Sequence, residues 1–470
     1  MTFNGFPFLL CFLPLVLCGY AVSSRFGAGW AKSWLIGASL AFYAAGAPAF
    51  VPLLVSSVGG NFILLRIMHG SVRAGRWAAV GVAVNLAGLG WYKYFGPDSI
   101  PPLGMSFFTF TQIGCLLYHA GGDTRPPKVS DYVLFVAFFP VLLAGPILNP
   151  REMLPQFSRN GWRLTANNLA VGSGFFLIGL LKKTLLADPL SAIVSAGFAD
   201  PVHLTLFPAW QAAASYSLML YFDFSGYTDM AIGLACMVGL RLPDNFDQPY
   251  RAPSVIAYWQ RWHMSLTRFL MINVHAPLVL TILRWRKRRG RRIDAQAQRT
   301  VDGFLTMIAA PLVATMVLVA LWHGATLPFL LFGLLHAAFL VLNHTWRLVR
   351  APVLPGLGSI ALTYLCVLVG SVLFRASTVA DATSMLAGMA GLRGIGLVQP
   401  DIHVLIDIAW LLSLYAIVWV VPSTRQWMQP DPASRLAWTA SPQWALVMGC
   451  AATLGLLAAG GTSEFLYFRF

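Results

Sequence analysis

The feature that most limits what this chain can fold into is the recurrence of apolar runs about as long as a bilayer is thick. They fall near residues 6–22, 33–47, 49–67, 77–95, 104–120, 132–148, 168–187, 208–222, 229–242, 265–283, 304–322, 327–346, 357–374, 403–421 and 443–460. A hydrocarbon core of about 30 Å takes about 20 such residues per helix. Backbone in lipid has no water to bond to, so these runs must become helices. Only 10% of the 470 residues are charged, against about 25% in an ordinary soluble domain. That is too few polar side chains to cover a water-soluble surface.

Some runs are short or interrupted. Proline and glycine break up 140–150 and 226–253, and irregular backbone at membrane depth has to be enclosed by protein or line a water-filled cavity. The expectation is an all-α, polytopic transmembrane bundle of about eleven crossings plus re-entrant helices. The first run reads as a retained span, because Met1 to Gly5 carry no positive charge and Ala21-Val22-Ser23 is a weak cleavage site. No period of repeats and no long hydrophilic insert marks a second domain, so residues 1–470 read as one integral membrane domain.

The formal charge of +15 lies in short loops between apolar runs, the pattern that fixes orientation in a membrane rather than one that binds nucleic acid. The densest stretch, Arg284 to Arg292, should face the cytoplasm and anionic headgroups. The same rule puts 149–163 and 284–299 on the cytoplasmic side. The six cysteines stand singly, without metal-ligand spacing, so they read as packing residues and no metal site is expected.

Ionisable side chains inside spans are costly and usually face the bundle interior. His323 ends a strongly apolar run and is followed by Gly324 and Pro328. With a pKa near neutrality, a histidine there can take a proton from a hydroxyl; a buried histidine bonded to a carbonyl fits the same spacing. In Tyr258-Trp259-Gln260-Arg261-Trp262-His263, Arg261 and Trp262 beside a second histidine suit either an interfacial anchor or a mouth that receives a phosphate-bearing donor. Asp223 and Asp229 flank Tyr227 in an apolar stretch. Buried carboxylates must be paired, hydrogen-bonded or protonated, and six residues of helix set these two about 120° apart, against one shared dyad. His336 could act with His323 only if Pro328 folds the chain back. There is no Gly-x-Ser-x-Gly, Walker loop, HExxH or Gly-x-Gly-x-x-Gly, so the soluble chemistries they serve lack support.

Seven segments occur in a telling order: PLGMSFFTF at 102–110, FFPVLLAGPI at 138–147, GLLKKTLLAD at 179–188, YFDFSGYTDMAIGL at 221–234, LPDNFDQPY at 242–250, WQRWHMSLT at 259–267 and LWHGA at 321–325. Together they resemble the membrane-bound O-acyltransferase family, in its bacterial branch of alginate O-acetylation and teichoic-acid D-alanylation. The resemblance is carried by residues from about 100 to 345. It implies a helical bundle in a bacterial inner membrane, with a central tunnel and a histidine at its narrow point. His323 matches the family's catalytic histidine and His263 the second histidine of this branch. Arg261, Trp262, Trp322, Asp223, Tyr227 and Asp229 are the further residues it implies near substrate or donor. No tightly bound cofactor is implied. The donor would be an acyl thioester, acetyl-CoA or an acyl carrier, and the acceptor a polysaccharide or a periplasmic acetyltransferase partner. The acyl group implied is acetyl, with acylation of teichoic acid or another cell-envelope polymer as the alternative within the class and a non-catalytic scaffold or a transporter as that of a different class. One departure is plain: residues 268–283 read RFLMINVHAPLVLTIL, where the branch carries an aspartate and a glycine pair.

Overall fold

The computed structural model describes residues 1–95, 102–121, 125–159, 161–350, 352, 354–396, 402–428, 438–439, 441–459 and 465–466. Parts of the polar loops 121–131 and 422–442, and the closing residues 467–470, lie outside them. Among the described residues all regular structure is helical. Seven helical stretches are long and apolar enough to cross a bilayer: Pro7–Phe26, Pro48–Met68, Ala166–Ala199, Met264–Arg288, Val301–His323, Leu327–Leu348 and Gly356–Arg375. Shorter apolar helices cover Val404–Val420 and Pro442–Leu457.

Where the apolar run at 132–148 carries prolines, the helix Val129–Ala137 stops and only the turn Phe139–Leu142 follows. Proline removes an N–H and clashes with the preceding turn. The irregular stretch from Leu143 to Leu148 is nevertheless buried, so protein encloses it as membrane physics requires.

The spans expected at 208–222 and 229–242 are one helix, Leu206–Met237, of 32 residues. Sequence reading took its glycines for a break, but they are an interface. A Cβ at Gly226 would lie 2.7 Å from the carbonyl of Gly179, and one at Gly233 would lie 2.5 Å from that of Gly172. Each pair is two turns apart on its own helix. Small residues in this register let two backbones touch and gain dispersion contacts where lipid supplies no hydrophobic drive. The segment with the departure at 268–283 is likewise continuous, forming part of the apolar stretch Met264–Arg288.

Contacts divide the chain into two compact units. The first comprises Met1–Asp188, Phe222–Asn245 and Ser423–Phe470, the second Pro189–Tyr221 and Phe246–Pro422. The first holds an aromatic core in which Phe8, Phe42 and Phe139 meet. It also holds a buried ion pair, Lys32 to Asp131 at 2.6 Å. In the second, Ala209, Ala212 and Ala213 pack against Leu368, Val372 and Met385. Its helices Ala310–His323 and Leu327–Leu348 form a close hairpin, with Gly333 set against Ala320 and the carbonyl of Met316.

The basic stretch after this unit's Met264–Arg288 helix is folded rather than loose. Arg286 is buried and donates to the carbonyl of Arg292 (3.0 Å), to Asp302 (2.7 Å) and to Thr306 (2.6 Å). Asp294 receives the N–H of Ala297 and the Arg292 guanidinium, which hold its carboxyl below the usual carboxylate range.

Candidate active site

His323 sits where it does because its helix cannot continue. Gly324 adopts a fully extended conformation, and the next helix opens at Leu327 behind Thr326, with Pro328 in its first turn. Proline is favoured there because that N–H has no helical partner anyway. The imidazole is 7% exposed. Its ring lies 4.5 Å from Trp322, 4.8 Å from Phe374 edge-on, 6.1 Å from Phe329 and 6.4 Å from Phe332.

His263 reaches the same neighbourhood through an unusual backbone. Its φ of 43° is left-handed, one of three such non-glycine residues among those described. Histidine tolerates that region better than most side chains, and residues held there tend to cluster at functional sites. Its carbonyl accepts the N–H of Thr267 at 3.1 Å and so starts the helix Met264–Leu270. The ring is 1% exposed and lies 6.1 Å from Trp322. Trp322 therefore touches both imidazoles.

Trp262 is buried in an aromatic stack, parallel to Tyr258 at 5.8 Å and to Tyr250 at 6.3 Å, with Phe246 edge-on at 5.0 Å. Arg261 is partly exposed, and its carbonyl accepts the N–H of Asp247 at 3.0 Å. Among the described residues its guanidinium has no ion pair.

The chain does fold back at Pro328, the condition His336 required. Phe332, one turn before His336, touches both rings, at 4.6 Å from His336 and 6.4 Å from His323. The His336 ring is 1% exposed and fits against Gly370, where any Cβ would collide with its Nε2. Trp259 meets it edge-on at 5.3 Å.

Asp223, Tyr227 and Asp229 belong to the first unit. Lys183 bonds Asp223 at 2.7 Å and Asp188 at 2.8 Å, while Lys182 bonds Asp229 at 2.6 Å. Thr424 also donates to Asp229 at 2.6 Å, and the N–H of Leu466 to Asp223 at 3.0 Å. Two adjacent lysines reach carboxylates six residues apart from the π-helical turn Lys182–Ala187, a local widening common at functional sites. Tyr227 is packed between Phe3 at 4.9 Å and Phe465 at 5.0 Å.

Sequence reasoning missed the Lys182–Lys183 pair and Phe374 here. Lys182 and Lys183 stand side by side in the run GLLKKTLLAD. The signal was available, since two cations and two acids in apolar runs are expected to pair. Phe374 gave no such sign, because an aromatic in an apolar run is the commonest of core residues.

The comparisons with known proteins agree with one another. The model of the membrane-bound O-acyltransferase family matches residues 116–292, a range that contains His263 and ends before His323. A probable alginate O-acetylase of Azotobacter vinelandii is 34% identical over 92% of this chain and 86% of its own. A peptidoglycan O-acetyltransferase of Helicobacter pylori is 32% identical over 84% of this chain and 81% of its own. A teichoic acid D-alanyltransferase of Bacillus subtilis is 26% identical over 51% of this chain and 58% of its own.

Proposed function

Because the chain belongs to the membrane-bound O-acyltransferase family and is a multi-pass helical membrane enzyme, we propose that it moves an acetyl group from a cytoplasmic thioester toward the hydroxyl of an extracytoplasmic polysaccharide. The transfer is direct or passes through a periplasmic partner, and the membrane is the bacterial inner membrane. Acetyl is favoured over D-alanyl because the relatives at 32–34% identity over most of the chain are named for O-acetylation. The D-alanyl relative matches half of it at 26%.

The observation that carries the reading is His323: an imidazole at the end of an apolar helix, 7% exposed and packed among aromatic rings. His323 takes the hydroxyl proton as that oxygen attacks the thioester carbonyl. The tetrahedral adduct collapses, the carbon–sulfur bond breaks, and the thiolate recovers the proton from the imidazolium. Apolar walls keep water from the thioester, and holding both reactants at one ring supplies proximity. His263, across Trp322, supports the same centre, and Arg261 offers a cation to the donor's phosphates.

General-base catalysis contributes about 10²–10⁴-fold. His323→Ala should lower transfer by that range while the protein accumulates and unfolds as the wild type does. Acetylation of the polymer in a strain carrying the variant is the measurement. Undiminished acetylation at normal protein level would leave a scaffold or transporter as the better account.

A further inference from the structure

Two hydrogen-bonding side chains beside the histidine cluster are left without partners. The His336 ring is 1% exposed. Neither of its nitrogens has a hydrogen bond among the described residues, and the same holds for Nε1 of Trp259. Buried polar groups in native proteins are nearly always paired, with protein, water or ligand. A neutral imidazole offers one donor and one acceptor, and an indole one donor.

The two lie edge-on at 5.3 Å, and each is tied to a candidate catalytic histidine, one through the chain and one through Phe332. Trp259 is four residues before His263 in the chain, and Phe332 touches both His336 and His323. The other rings about His336 are Tyr258 at 6.5 Å and Phe339 at 5.9 Å. These surroundings suit a neutral guest rather than an ion. The matching chemistry is a group whose oxygen accepts the indole N–H and whose own hydrogen is given to imidazole nitrogen.

We propose that His336 and Trp259 form a polar subsite beside the reaction centre for a neutral group that both accepts and donates a hydrogen bond. Its source is an amide in the arm of the thioester donor or an ordered water. The donor source rests on the thioester reading above.

The test uses the full chain in lipid nanodiscs and two acetyl donors, acetyl-CoA, whose arm contains amides, and an S-acetyl alkanethiol, which contains none. His336→Leu keeps the volume and removes both hydrogen-bonding atoms, His336→Asn restores a donor and an acceptor, and Trp259→Phe removes the indole N–H together with one ring while keeping an aromatic face. His336→Leu should cut kcat/KM about tenfold, and His336→Asn should recover most of it. If the loss is confined to acetyl-CoA and lies in KM, the guest is the donor's amide. If both donors lose equally and both recover with Asn, the guest is water. Wild-type rates in His336→Leu and Trp259→Phe, or no recovery with Asn, would overturn the subsite. Binding of CoA by calorimetry gives a readout independent of turnover. Should His323→Ala prove active, the base assignment falls while the Leu-to-Asn comparison still stands.

Discussion

The carboxylate–lysine cluster of the first unit and the histidine cluster of the second handle buried polarity in opposite ways. In the first, Asp223 and Asp229 each have their own lysine, and further hydrogen bonds come from Leu466 and Thr424. In the second, His263, His323 and His336 are packed among aromatic rings, with Trp322 touching two of them and Phe332 linking His323 to His336. A carboxylate closed on a lysine ties the two segments that carry them together. An imidazole walled by ring faces instead presents two ring nitrogens at its edge. The same membrane cost of polarity is thus met by ion pairing in one place and by aromatic packing in the other.

The comparison is most exposed at Lys183. Its removal strands Asp223 and Asp188 among buried groups, and breaking a buried pair from one side costs about 3–5 kcal/mol. Lys183→Ala should therefore lower the unfolding midpoint in detergent sharply and reduce the amount of protein recovered. The double change Lys183→Met with Asp223→Leu should regain much of that stability, because an apolar pair of similar volume is often no worse than an ion pair. A single variant as stable as the wild type would mean that these charges are not structural.

His263 sharpens the other side. His263→Gly removes the imidazole and keeps a residue at ease with the left-handed backbone. Transfer should fall about tenfold or more, within the range of acid–base and positioning contributions, while the unfolding midpoint moves far less than in Lys183→Ala. Wild-type transfer in that variant would leave His263 as the start of a helix and nothing more.

How much of this was legible beforehand depends on whether a feature is local. Span positions follow from runs of apolar residues, and most helix ends fall within a few residues of them. The helix Leu206–Met237 was split in two because Gly226 and Gly233 look like breakers in one dimension. Only the facing Gly179 and Gly172 make them contacts. That Asp223 and Asp229 do not form one dyad was readable from helical rotation, but their lysines required the π-helical turn to be seen. Phe465 lies far from these residues in sequence, yet it is 1% exposed, over Lys183 at 4.7 Å and against Tyr227. The nearness of His336 to His323 hung on whether Pro328 reverses the chain, a question that spacing poses and cannot answer.

The weakest expected effect marks where the comparison stops applying. Arg425 bridges Asp244 within the first unit, but the two side chains are 61% and 30% exposed. Water screens such a pair and holding two long side chains costs entropy, so an exposed bridge contributes about 0–1 kcal/mol. Arg425→Ala should shift the unfolding midpoint slightly, and added salt should shrink even that difference. A loss approaching that of Lys183→Ala would mean that burial does not separate structural charges from incidental ones in this unit, and the contrast with the histidine cluster would need another basis.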